Sequence, residues 1–262
     1  MTLKPKKSLG QNFLIDKNII DLIVENGKVK KNDIVIEVGP GTGNLTERII
    51  SKHPKKLIII EKDKFLAENL NKKFKNKVTL INDDILKVNF EKFNYNKMIF
   101  FGNLPYNISS QILVRWIRIN NLNLLCKRMI LMFQKEVADR ILAETNHKDY
   151  GRLSILSQWK LNVYKIKDIN PGSFYPSPKV RSTILFIEPK HKIQNIKSPK
   201  NLEHITNIFF SQKRKMINKP LKILFSDIKK ISNNFNLDLK KRPQNLSPST
   251  YFDLCKEYEK LN

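Results

Sequence analysis

The stretch Val35-Ile36-Glu37-Val38-Gly39-Pro40-Gly41-Thr42-Gly43-Asn44-Leu45 constrains the fold more than any other part of the sequence. A β-rich run enters a set of glycines, and an amphipathic stretch, Leu45 to Ser51, leaves it. Glycine takes positive φ and lets a ligand approach the backbone, so a nucleotide-like group can rest against the strand end. A dinucleotide site would have its third glycine where Asn44 stands, and a phosphate loop needs Gly-Lys followed by Ser or Thr; neither is here. The loop fits a cofactor without phosphates, such as S-adenosylmethionine (AdoMet). Taken alone, the glycines also fit a plain tight turn.

The same strand and helix rhythm continues. Short β-rich runs at Ile34 to Val38 and Leu57 to Ile60 alternate with amphipathic stretches at Leu45 to Ser51 and Phe65 to Phe74. Further strands are predicted at Val78 to Ile81, Met98 to Phe101, Met129 to Phe133 and Thr183 to Ile187, and helices at Ser110 to Ile119 and Lys135 to Ala143. Continuous apolar strands separated by helices imply an α/β fold with a parallel sheet covered on both faces. After Glu188 the texture changes. Pro189 to Lys200 reads as a linker, and beyond it apolar residues recur at helical spacing: Leu202, Ile205, Ile208 and Phe209 in one stripe, Leu224, Ile228 and Ile231 in another, then a short pattern from Tyr251 to Leu261. The expected division is a catalytic domain over residues 1–190 and a small helical domain over 191–262.

The chain carries 49 Lys and Arg against 24 Asp and Glu, a formal charge of +25, and this points to a polyanionic partner. The bland alternative is a composition rich in Lys, Asn and Ile for reasons unrelated to binding. The part after Pro189 is the more basic per residue. No apolar stretch approaches the ~20 residues of a membrane helix. The apolar residues after the basic start are broken by Asp16, Lys17 and Asp21, so neither a membrane partner nor secretion is expected. Cys126 and Cys255 belong to no paired motif and read as ordinary thiols of a reducing, cytoplasmic compartment. The four histidines are scattered, so no metal is expected.

The candidate chemistry falls at strand ends. Glu61 ends the second strand of the repeat, where a ribose would lie, and a carboxylate can accept both vicinal hydroxyls. Asp83 and Asp84 end the third, where one could accept from an adenine amino group. Singly, each reads as a helix cap or solvated turn. The fourth strand runs into Gly102-Asn103-Leu104-Pro105-Tyr106-Asn107. An adenine N6 amine is a poor nucleophile because its lone pair is delocalised into the ring. The Asn103 side-chain oxygen and the Leu104 carbonyl can accept its two hydrogens and aim the lone pair at a methyl sulfonium. Pro105 stiffens the turn and Tyr106 offers a face to the base.

With these residues in place, the chain resembles the AdoMet-dependent ribosomal RNA adenine N6-dimethyltransferase family, in its bacterial small-subunit (16S) branch. The matching stretches are Lys6 to Leu14, the glycine loop, Glu61, Asn82 to Asp84, Asn103 to Ser109, Gln134 to Val137, Tyr150 to Ser154 and Ser173 to Val180. The resemblance implies a Rossmann-like class I methyltransferase domain with a small C-terminal helical domain. It implies that Asn12 and Leu14 close over the methionine end of AdoMet, that Gly39, Gly41, Glu61, Asp84 and Asn103 line the rest, and that Asp84 rather than Asp83 meets the adenine. It implies that Phe174 stacks on the target base opposite Tyr106; without it Phe174 reads as a core aromatic. The implied product is a pair of adjacent N6,N6-dimethyladenosines in a hairpin loop near the 3′ end of small-subunit ribosomal RNA, and the implied partner is the immature small subunit. Candidates for RNA backbone contact are Lys4, Lys6 and Lys7, and Lys213, Arg214 and Lys215 in the helical part. Pro220, just beyond, is expected to stop or kink a helix. A monomer is the expected state. Two rivals remain: the related group that modifies one adenosine of large-subunit RNA, and an assembly factor in which binding outweighs catalysis.

Overall fold

The computed structural model describes residues 5–6 and 9–261; Lys4 and Lys7 lie outside the described residues. Strand β1 is Phe13–Leu14 and helix α1 is Lys17–Gly27. There follow β2 (Ile34–Val38), α2 (Asn44–Ile50), β3 (Lys56–Ile60), α3 (Lys64–Phe74), β4 (Thr79–Ile81), β5 (Met98–Asn103), α4 (Ser109–Ile117), α5 (Leu122–Leu125) and β6 (Cys126–Gln134). Then come α6 (Lys135–Leu142), α7 (Arg152–Lys160), β7 (Leu161–Ile169), β8 (Phe174–Tyr175) and β9 (Ser182–Pro189). Helices α8 (Pro199–Phe210), α9 (Asn218–Leu224), α10 (Ile228–Asn234) and α11 (Pro248–Leu261) complete the chain.

Local chemistry explains where the helices begin. Extended Asp16 accepts the N–H groups of Asn18 and Ile19 and so caps α1, and Asp63 caps α3 through the N–H of Phe65. Pro220, expected to break a helix, sits third in α9. A proline in the first turn forfeits only an N–H that has no intrahelical partner, so it starts this helix instead of ending one. The stripe of Leu224, Ile228 and Ile231 is likewise divided between α9 and α10, because Asp227 accepts the N–H of Lys230 and caps a new helix.

The fold is α/β and Rossmann-like. The main sheet has the order β4-β3-β2-β5-β6-β9-β7, with β2 to β6 parallel and β9 antiparallel to β6. Purely parallel pairing was the expectation from apolar patterning. It fails at β9 because the chain enters that strand from the short β8 turn, not from a helical crossover, which parallel neighbours require. Every residue of β2 is buried, as a strand covered on both faces demands. On one face Val35, Leu57, Ile59, Ile99 and Phe101 pack against Ile19, Ile20, Ile23 and Val24 of α1. On the other, Phe90, Phe100 and Trp116 meet edge to face or tilted. Burying each such side chain contributes about 1.5–3 kcal/mol.

The register of the sheet positions everything that follows. Val38 stands beside Ile60, Ile60 beside Ile81, and Val38 beside Gly102. The next residues along the four strands, Gly39, Glu61, Asn82 and Asn103, therefore form a row at the carboxyl edge, where open α/β sheets bind ligands.

Contacts group the chain into two compact units: one runs to Ala138 and resumes over Val163–Pro189, and the other joins Asp139–Asn162 to the chain from Lys190 onward. The helical unit thus takes in α7 as well as the residues expected after 190. The reason is apolar packing: α7, α8 and α11 pack on one another, burying Ile155, Trp159, Leu202, Phe209, Tyr251 and Leu254. The Glu259 carboxylate accepts the N–H groups of Lys197 and Ser198 and the amide of Asn201, tying the end of the chain to the start of α8. Burial opposes its ionisation, but these donors outweigh burial and hold it below the usual carboxylate range. Among the described residues no helix is long and apolar enough to cross a membrane.

Candidate active site

A cavity of about 220 Å³ opens on the row at the carboxyl edge. Its floor is the glycine loop. Gly39 and Gly41 have φ of +67° and +58°, and a Cβ on Gly41 would lie 2.6 Å from the Phe13 ring. Gly41 is therefore required twice, for its backbone and for the close passage of the segment before α1. That segment, residues 9–14, crosses the loop as a strap. The Asn103 side chain donates to the Asn12 carbonyl at 2.7 Å, and Asn44 donates to the Leu14 carbonyl at 2.8 Å. Lys6 and Gln11 both bind the Asp63 carboxylate, at 2.9 Å and 3.1 Å. At its far end β1 pairs with β8.

Two glutamates lie under the strap. Glu61 is 7% exposed and accepts the N–H groups of Gly41 and Asp63, one on each oxygen. Each oxygen keeps a second lone pair, so the carboxylate can still take vicinal hydroxyls. Burial raises its pKa although those two backbone donors pull it down. Glu37 is 1% exposed, one of its carboxylate oxygens has no hydrogen-bond partner, and burial pushes its pKa up to about 8. Asp84 lines the same cavity; Lys62 and the N–H of Leu86 bind its carboxylate and hold it below its usual range.

The fourth strand end shapes the catalytic corner. Because the Asn103 amide nitrogen is committed to Asn12, its oxygen is the group presented as an acceptor. Leu104 is 1% exposed, and its carbonyl receives no hydrogen bond among the described residues. The carbonyl of Pro105 accepts the N–H of Ile108, which tightens the turn carrying Tyr106. The Tyr106 hydroxyl lies 2.5 Å from the Ser182 hydroxyl. Burial, only partly offset by this contact, raises the pKa of Tyr106.

The structure thus brings Asn12, Leu14, Gly39, Gly41, Glu61, Asp84, Asn103, Leu104, Pro105 and Tyr106 to one cavity. It does not bring Phe174 there. Phe174 is 3% exposed and packs in the apolar core opposite Leu14, so period-two alternation turns its neighbour Tyr175, 60% exposed, to solvent. Lys213 is also placed differently from an RNA contact: its ammonium donates to the carbonyls of Lys148 and Tyr150. Arg214 and Lys215 are exposed. The sequence reading missed Gln11, Asp63, Asn44, Lys62 and Ser182. Only Asn44 left a signal, as the residue that spoils a dinucleotide motif.

This donor set fits AdoMet. The glycine cradle leaves backbone space at Gly39, where an added Cβ would meet the Asn103 carbonyl oxygen at 3.5 Å, and the acidic row offers acceptors for hydroxyl, amino and ammonium groups. Among the described residues no three His, Cys, Asp or Glu side chains are grouped to hold a metal ion.

Residues 2–260 match the family model described as ribosomal RNA adenine dimethylase. Ribosomal RNA small subunit methyltransferase A of Pelagibacter ubique (strain HTCC1062) is 53% identical over 261 residues, covering 100% of this chain and 99% of that protein. A dimethyladenosine transferase from Plasmodium falciparum superposes with a TM-score of 0.76 at 29% identity, over 95% of this chain and 98% of that one. The 23S rRNA methyltransferase ErmE shares the fold with a TM-score of 0.70 at 20% identity, over 95% and 100%.

Proposed function

The chain belongs to the ribosomal RNA adenine dimethylase family, and from that premise we propose that it dimethylates N6 of two adjacent adenosines in the 3′-terminal hairpin loop of small-subunit (16S) ribosomal RNA, using AdoMet. When bound, AdoMet supplies a methyl group activated by its sulfonium. The glycine loop receives its length, Glu61 takes the ribose hydroxyls, Asp84 takes the adenine amino group, and the strap at Asn12 and Leu14 covers the methionine end.

The observation that carries the reading is the Asn103 amide locked by the Asn12 carbonyl with its oxygen left to accept. That oxygen and the Leu104 carbonyl take the two hydrogens of the target amine. The nitrogen lone pair is then directed in line at the methyl carbon, and Tyr106 holds the ring. The N6 proton turns acidic as the N–C bond forms and passes to water, so no strong base is needed.

The small-subunit assignment over the large-subunit rival is supported by the 53% identity to a protein named for the small subunit, and by Tyr150 to Ser154 and Ser173 to Val180. The substrate is then the RNA within an immature small subunit, met by a cytoplasmic monomer. RNA backbone contact falls to Arg214 and Lys215, since Lys6 and Lys213 already hold carboxylate or carbonyl partners. A role in subunit maturation accompanies the catalysis. Asn103→Ala should abolish methyl transfer to small-subunit RNA, read by mass spectrometry of the RNA, while RNA affinity stays within about twofold, because only orientation is lost. Wild-type turnover in the variant would overturn the mechanism.

A further inference from the structure

Tyr106 stands three residues beyond β5 on a turn, a placement that by itself leaves the ring free to swing about its side-chain torsions. Its hydroxyl, however, reaches across the end of β6 to Ser182, the first residue of β9, at 2.5 Å. Ser182 is fully buried, and its backbone is fixed opposite Gln134 in the β6–β9 ladder. The neighbouring Arg181 carbonyl accepts the N–H of Lys135, which closes the ladder at this end. The Ser109 hydroxyl holds the Tyr106 carbonyl at 3.3 Å. The ring is thus pinned at both ends of its length, at its own backbone and at the para position, and the outer pin belongs to the rigid sheet.

We propose that Ser182 is a positioning residue for methyl transfer: through the Tyr106 hydroxyl it fixes the plane on which the target adenine stacks. The proposal deepens the function given above and rests on it. Either hydroxyl can donate, so the contact needs no particular protonation state, and its whole effect is geometric. A stacked base held in one plane keeps its amine between the Asn103 and Leu104 oxygens. A ring free to rotate lets the base tilt and misaligns the attacking lone pair.

The experiment uses the full chain, AdoMet, and a small-subunit hairpin RNA with and without 2-aminopurine at the target adenosine. Tyr106→Phe keeps the ring and removes its hydroxyl; Ser182→Ala keeps the tyrosine and removes the pin; Ser182→Thr keeps a hydroxyl at the same place. Each of the first two should lower kcat about tenfold with KM nearly unchanged, as loss of orientation without loss of contact area predicts. The double variant should fall no further than either single one, since both remove the same contact. Enzyme-dependent quenching of the 2-aminopurine should weaken in both, and Ser182→Thr should restore kcat and quenching. Wild-type kcat and quenching in Ser182→Ala, even with a lowered melting temperature, would overturn the proposal. So would a double variant whose loss is the product of the single losses. Wild-type enzyme that neither quenches the probe nor methylates the hairpin would instead overturn the function on which the proposal depends.

Discussion

Replacing Asp63 by Ala removes three contacts from one buried carboxylate: the cap on Phe65 of α3, the Gln11 amide, and the Lys6 ammonium. The cap is worth about 1 kcal/mol. The Gln11 hydrogen bond to a charged acceptor is worth about 1.5 kcal/mol. The Lys6 side chain is 53% exposed, so its pair is held to no more than about 1 kcal/mol. Only the last two restrain the strap, and at 1.4 kcal/mol per decade they correspond to about 60-fold in an equilibrium that requires the strap shut. Calorimetric titration of the Asp63→Ala variant should therefore show AdoMet affinity falling between about 10-fold and 60-fold, the upper figure being the full coupling. Asp63→Asn keeps acceptors for Phe65 and Gln11 and loses only the ionic part, so it should fall by no more than about fivefold. The pH dependence has a definite sign. Burial opposes ionisation of Asp63, but Lys6 and Gln11 outweigh it and hold the carboxyl below its ordinary value of 3.8. Its contribution is complete above that value and is lost only as pH falls through the lower folded one, so the Asp63 effect should be constant across neutral pH. An Asp63→Ala protein that loses stability through its cap yet binds AdoMet like the wild type would refute the idea that these contacts hold the strap for binding.

Two further outcomes follow from the glutamates. Glu61→Ala should weaken AdoMet binding at least tenfold in the same titration with little change in RNA affinity, because acceptors for two hydroxyls disappear; unchanged cofactor affinity would count against the ribose assignment. Glu37 has a folded pKa of about 8 against an ordinary 4.5. The folded state therefore keeps a proton that the unfolded chain releases, and stability falls as pH rises through this interval. Denaturant unfolding of Glu37→Gln should show a flatter pH dependence between 4.5 and 8 than the wild type, and identical slopes in the two proteins would reject that burial cost.

The parts legible in the sequence are those whose signal is local. Glycines at Gly39, Gly41 and Gly43 follow a β-branched run, and Asn103 to Tyr106 follow an apolar one, so strand ends and their loops can be read directly. The register that makes a row of them follows from strand pairing, which period alone does not specify. Strand β7 escaped because its burial pattern is irregular, with charged Lys165, Lys167 and Asp168 along it. The two-residue strands β1 and β8 are too short to show any period. The supports of the site were invisible for a different reason. Gln11 and Asp63 lie 52 residues apart, and Tyr106 and Ser182 lie 76 apart; nothing in the neighbourhood of either member announces the other. Phe174 shows the converse. Its motif suggests a binding aromatic, while the alternation of a two-residue strand decides which side chain faces inward.

The alignment of Gly39, Glu61, Asn82 and Asn103 gives the enzyme a common datum line. Every working group is measured from the end of a hydrogen-bonded ladder, and none depends on the length of the crossovers joining the strands. Relatives can thus lengthen or shorten those surface connections without disturbing the chemistry. One extra residue inside β5, by contrast, would carry Asn103 about 3.3 Å out of line and turn its side chain to the opposite side. Tolerance to insertion and intolerance to it are separated by a single boundary, the last paired residue of each strand.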